Sequence, residues 1–302
     1  MGKKGKRGNK PSEKKAVLKR LDALAKKLEE ELEGADLFAP LPPTEDCPIC
    51  LVRLPRVKRV NYQGCCGKKI CQACYTDNAL INAKASAKKS GKTLDSLVEG
   101  GGAWLTCPFC RATDQIGKKS REYIRQLEFR TSQGDSFACS ILGDVYENGK
   151  FEAPIDLIKS LHYYILAVEL GSEAACGNIA LLLEVGTVVP AIDKSKSALF
   201  YKIGALRGHM LSRLGIAMTE YKLGNNEAGI RHWKIAAEAG MQPALDKLEE
   251  ILNEKLPGKE FISKEELDNL HRMCHKAQEE VKTDEREKYL SKEAEVRTWT
   301  KC

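Results

Sequence analysis

The chain has 302 residues, 42% of them hydrophobic and 30% charged, with a formal charge of +7. That length holds two or three folding units, and the most apolar stretch, Ile179 to Ile192, is broken by Glu184, Gly186 and Pro190, whereas a membrane span needs about 20 apolar residues. The charge is uneven: residues 1–20 hold nine Lys or Arg against the single Glu13, so the remainder sums to about −1 and supplies no general field for nucleic acid.

The run Lys3-Lys4-Gly5-Lys6-Arg7 reads as a solvated, disordered tail, with nuclear import or RNA contact as the competing reading. After Pro11-Ser12, Leu18, Leu21, Ala25, Leu28 and Leu32 recur at alternating spacings of three and four up to Gly34. That stripe predicts an amphipathic helix only about two heptads long, which favours packing on its own chain over a coiled coil. Residues 1–46 are thus expected to be a basic tail followed by a helix.

Eight of the twelve cysteines lie between 47 and 110, as Cys47-x2-Cys50, Cys65-Cys66, Cys71-x2-Cys74 and Cys107-x2-Cys110. Two residues between ligands let the backbone turn and present both thiolates to one small ion, so the spacing points to Zn2+. Cys139, Cys176, Cys274 and Cys302 are scattered singly, and no apolar signal segment opens the chain. A reducing, intracellular compartment, cytoplasmic or nuclear, is therefore expected, and metal is favoured over disulfides. The first histidine is His162, so thiolates must complete both sites.

The arrangement resembles a RING domain, whose ligand pairs alternate between two zinc ions. The resemblance assigns Cys47, Cys50, Cys71 and Cys74 to site 1 and Cys65, Cys66, Cys107 and Cys110 to site 2. It also implies that Ile49, Pro108 and Arg111, in Cys47-Pro48-Ile49-Cys50 and Cys107-Pro108-Phe109-Cys110-Arg111, meet a ubiquitin-conjugating enzyme. Lys68 stands where the family pattern has a histidine, and the adjacent pair Cys65-Cys66 is tighter than usual. The Lys-, Ser- and Gly-rich stretch 84–102 is expected to be an insertion or mobile loop within a 47–115 module.

From Gly134 the sequence repeats: the segment 134–143 aligns without gaps on 171–180, further units open at Gly171 and Gly208, and the spacings are 37, 37 and then 32 residues to Gly240. A fixed period of this size predicts helix pairs stacked as a solenoid. Asp156, Asp193 and Asn225 share a column and are expected to cap each second helix, while Gly171, Gly208 and Gly240 fit the position just past its end. Tyr164, Tyr201 and Trp233 form an aromatic column, and Ala167, Gly204 and Ala236 a small-residue column; both are read as core. Cys139 and Cys176 share a column and read as buried thiols. His271, Cys274 and His275 cannot all point at one ion from one helix. The pattern Leu142-Gly143-x2-Tyr146-x2-Gly149, with its later columns, is similar to Sel-1-like repeats, relatives of the tetratricopeptide repeat. Repeats are assigned to 121–255, and a helical cap and tail, opened by Ser263-x2-Glu266, to 256–302.

The expected fold is thus a small zinc-bound RING-like α+β module followed by an all-α helical-repeat solenoid, with the module a separate core. The resemblances imply a RING-type ubiquitin-protein transferase that performs no covalent chemistry. It would recruit a ubiquitin-conjugating enzyme and ubiquitin through the module, and protein substrate through outward residues of the first helix of each repeat. The alternative is a non-catalytic zinc-binding adaptor. A nucleic-acid binder falls behind, since no aromatic residue interleaves with the basic run, and no membrane partner is expected.

Overall fold

The computed structural model describes residues 11–56, 60–91, 104–115, 120–186 and 193–280. The basic run at 3–7 and Cys302 lie outside the described residues. No described helix is long and apolar enough to cross a membrane.

Helix α1 (Pro11–Leu32) begins on a proline, whose fixed φ suits a first helical position. Its buried face is Val17, Leu21, Leu24, Ala25 and Leu28, with Leu18 and Leu32 partly covered. This face joins the core of the repeats, as expected of a stripe too short to pair with another chain. Ion pairs flank it: Arg20 with Glu169, Asp22 with Lys196 at 2.8 Å, and Glu31 with Arg207 at 2.8 Å.

The cysteine-rich module follows. Strands β1 (Val60–Gln63) and β2 (Lys68–Cys71) pair antiparallel, Val60 opposite Cys71 and Gln63 opposite Lys68. Helix α2 (Gln72–Ser90) leads to a second hairpin, β3 (Trp104–Thr106) with β4 (Thr113–Gln115). The expected loop from Lys84 is corrected in its first part, because α2 runs through Ser90 and ends on Gly91 at φ 64°. Ala83, Ala85 and Ala87 favour helix, and Lys88 and Lys89 in the last turn suit its dipole. The rest of that stretch, 92–102, lies outside the described residues.

Among the described residues nine helices then stack: α3 (Ser120–Ser132), α4 (Ser136–Asn148), α5 (Leu157–Glu169), α6 (Glu173–Val185), α7 (Lys194–Leu206), α8 (Met210–Lys222), α9 (Asn226–Glu238), α10 (Gln242–Asn253) and α11 (Lys264–Glu280). The repeat units are α4–α5, α6–α7 and α8–α9. Asp156 accepts from the Lys159 N–H at 2.9 Å and Asp193 from that of Lys196 at 3.0 Å, so both cap their helices. Asn225 holds the cap position without the cap bond; its amide instead donates to Glu220 at 2.7 Å. Gly171, Gly208 and Gly240 have φ of 91–92°, a backbone that a side chain would strain. Ser263 Oγ accepts the Glu266 N–H at 3.1 Å, opening α11.

The columns do the packing. Tyr164, Tyr201 and Trp233 are buried, and the first two donate to Glu147 and Glu184 at 2.6 and 3.1 Å, an identical bond one period apart. Gly204 leaves no room for a Cβ because Ser212 of the next unit and Cys176 of the same unit close over it. Small residues there let successive helices approach. Cys139 and Cys176 are fully buried, and burial pushes the thiol of Cys176 up to about 12, so both serve as core.

Between Gly34 and the module, the chain straps across α8 and α9. Leu37 O accepts from buried Arg213 at 2.9 Å, and Phe38 lies between the His232 ring at 4.7 Å and the Arg231 guanidinium at 3.8 Å. Burial, and then the charge of Arg213, lower His232 to about 4. Below about 6.5 the unfolded chain binds a proton that the native ring refuses until about pH 4, so stability falls as pH drops through that window. The full loss is on the order of 3 kcal/mol. Urea melts at pH 7 and pH 5 are expected to show it, and His232→Gln to flatten the slope; an unchanged slope would remove His232 as its source.

Candidate metal centre

Each quartet is assembled from two distant segments. Cys47 and Cys50 sit on one knuckle, while Cys71 and Cys74 open α2. Cys65 and Cys66 occupy the β1–β2 turn, while Cys107 and Cys110 sit on a second knuckle after β3. In each quartet all four sulfurs lie within 4.8 Å of one another. Individual separations are 3.9 Å for Cys50–Cys71, 3.6 Å for Cys66–Cys107 and 3.4 Å for Cys65–Cys110. A disulfide needs about 2.0 Å. Four thiolates at about 2.3 Å from one ion stand roughly 3.8 Å apart, so the donor set fits a tetrahedral soft cation. The structure brings together the same two sets of four that the resemblance to a RING domain implies.

The two knuckles are one turn used twice. Cys47 N–H donates to Val52 O at 2.9 Å and Leu51 N–H to Cys47 O at 2.8 Å; Cys107 N–H donates to Ala112 O at 2.8 Å and Arg111 N–H to Cys107 O at 3.1 Å. The residue after each second cysteine takes a left-handed backbone, Leu51 at φ 58° and Arg111 at φ 57°. Ile49, Pro108 and Arg111 are all exposed on these knuckles, Ile49 to 43%.

The thiols are electrostatically unequal. Burial pushes Cys47 up, but backbone N–H groups of Cys50, Cys71 and Ile49 outweigh it and hold the thiol down at about 7. Cys107 is lowered the same way, against burial, by the N–H groups of Cys110 and Phe109. Cys65, Cys66 and Cys74 are raised, first by burial and then by neighbouring thiols. One early thiolate among desolvated thiols is an arrangement that a cation relieves, since it favours the charged form of all four.

His271 pairs instead with Glu249, and His275 lies 3.7 Å from Glu279; among the described residues the two quartets are the groups able to hold a metal. Lys68 begins β2 and is exposed. Sequence reading did not find how the module sits. It has a small core of its own, Cys47, Leu54, Ile70, Cys71 and Ala73, and is in addition docked on the repeats. Tyr62 donates to Asp135 at 2.5 Å, and Arg56, which donates to Pro42 O, lies with that proline against Gly208. A cleft of about 720 Å³ remains between strap, first knuckle and α9, lined by Phe38, Leu41, Arg53, Arg56, Ile235 and Glu238 among others.

No protein-family profile matches the chain. Among solved structures it is similar to a Sel1 repeat protein from Oxalobacter formigenes, at 21% identity and TM-score 0.47, over 70% of this chain and 82% of that one. It is also similar to c5321, a protective antigen present in uropathogenic Escherichia coli strains displaying an SLR fold, at 18% identity and TM-score 0.44, over 74% of this chain and 49% of that one. Likeness at TM-scores below 0.5 carries no inference; the assignment of a helical-repeat solenoid stands on the caps, columns and helix pairs above.

Proposed function

We propose that the chain is a RING-type ubiquitin ligase whose two quartets each hold Zn2+. The observation that carries the reading is the interleaving of the quartets, first and third cysteine pairs together and second and fourth together, with exposed Ile49, Pro108 and Arg111 on the two knuckles. Zinc supplies no chemistry to the transfer; it shapes the knuckles. Ile49 and Pro108 offer an apolar seat for the conjugating enzyme, and Arg111 offers a planar fork of donors that clamps enzyme and ubiquitin in a reactive pose. A substrate lysine then attacks the thioester.

Substrate falls to the first helices of the repeats. Leu181, Val185, Leu211, Met218 and Leu223 are exposed along them or at their ends, while α1 covers the second helices α5 and α7. The coarser reading, a non-catalytic adaptor, is favoured by the same exposed residues and needs no conjugating enzyme. Ubiquitin discharge with a panel of conjugating enzymes separates the two. Arg111→Ala is expected to leave two zinc ions per chain and slow discharge at least tenfold, and Ile49→Ala to weaken enzyme binding. Wild-type chain that binds none of the panel and discharges nothing is the adaptor's result.

A further inference from the structure

The turn Gly64-Cys65-Cys66-Gly67 belongs to two structures at once. Its middle residues supply half of the second quartet, at 3.4 Å from Cys110 and 3.6 Å from Cys107. Its outer residues lie flat on the repeats. A Cβ on Gly64 would come 2.9 Å from the Tyr123 ring, and one on Gly67, whose φ is 74°, would come 2.9 Å from Arg130 Nη2 and 3.0 Å from Asp135 Oδ2. On the strands either side, Tyr62 donates to Asp135 Oδ2 at 2.5 Å and packs tilted against the Phe137 ring at 5.1 Å between centroids, and Lys69 Nζ lies 5.2 Å from the Phe137 centroid. Asp135 is also the cap of α4, its other oxygen accepting the N–H groups of Phe137 and Ala138 at 3.1 Å.

This contact selects on shape more than it holds by burial. Tyr62, Tyr123 and Ile124 are only partly covered there, and Gln126 Oε1 and Arg130 Nε on the receiving helix are buried without a hydrogen-bond partner. Only one form of the turn fits between Tyr123 and Arg130. Two glycines around two desolvated thiols give that turn many forms of similar energy, until both sulfurs are fixed on one ion. The first quartet differs: its buried neighbours Leu54, Ile70 and Ala73 all belong to the module.

We propose that the metal of the second quartet is the clamp that docks the module on α3 and the start of α4, while that of the first quartet ties the first knuckle to the start of α2 and takes no part in the docking. The inference rests on the quartets holding metal. By linkage it also runs in reverse: docking tightens the hold on the second metal by the factor by which that metal tightens docking.

The test uses the full chain, with metal content by mass spectrometry, metal release to a chromogenic chelator and hydrogen exchange over 120–138. Cys110→Ser is expected to retain one metal and to raise exchange over 120–138 about tenfold or more, within the usual range of coupling. Cys50→Ser is expected to retain one metal with exchange there within about twofold of wild type. Tyr62→Phe, which keeps all eight thiols, is expected to speed release of one metal about tenfold and leave the other unchanged. Wild-type exchange in Cys110→Ser, an equal rise in Cys50→Ser, or unchanged release in Tyr62→Phe each overturns the clamp alone. A wild-type chain isolated without metal overturns the metal reading and the clamp together.

Discussion

Stripping both quartets with a chelator is expected to unfold the cysteine-rich module while the helices from α4 to α11 keep their far-UV signal. Among the described residues, the buried non-ligand members of the module's own core are Leu54, Ile70 and Ala73. Burying a large aliphatic side chain contributes about 1.5–3 kcal/mol, whereas ordering costs roughly 1.5 kcal/mol per residue. Structural zinc supplies about 10–16 kcal/mol in small fingers, more than those three side chains together. The repeats need no such aid, because their cores are the continuous clusters around Tyr164, Phe200 and Trp233. Circular dichroism during titration with chelator, alongside metal analysis giving two ions per chain, checks this. Collapse of the whole helical signal, or a single ion, would contradict it.

The second large effect is expected at Leu21 and Leu28, each 1% exposed. Truncating either to alanine leaves a cavity in the repeat core where α1 packs on α5 and α7, at a cost of about 2–5 kcal/mol. For a chain of this size that lowers the melting temperature by roughly 5–15 °C. A helix merely resting on the surface gives changes within about 0.5 kcal/mol. Melts of Leu21→Ala and Leu28→Ala against Glu29→Ala, an exposed control on the same helix, discriminate the two situations.

The three Cys-x2-Cys pairs were legible in the sequence, because two-residue spacing is a local constraint, whereas the adjacent pair Cys65-Cys66 and the division into two sets came from the resemblance to a RING domain. The repeat caps were legible for a related reason: Asp156 and Asp193 bond to amides three residues away. Asn225 shows the limit of a column, since sharing a position did not make it share a bond. The stripe of α1 announced a buried face without naming its partner. Nothing local to Leu21 says that α5 and α7 lie opposite. Docking through Tyr62 and Asp135 was illegible in the same way. The helical continuation past Lys84 was missed because lysine and serine were weighed as loop formers when the intervening alanines decide the matter.

Helix α1 changes how the array comes apart. Repeat stacks held only by neighbour contacts fray one unit at a time from their ends. Here a single segment touches α5 of the first unit and α7 of the second, with ion pairs from Arg20, Asp22 and Glu31 reaching Glu169, Lys196 and Arg207. Neither unit can open without breaking contacts that also serve the other, so the two form one cooperative block. Unfolding then starts from α10 and α11, where no such bridge runs among the described residues, and travels inward until it meets a step that is all or none.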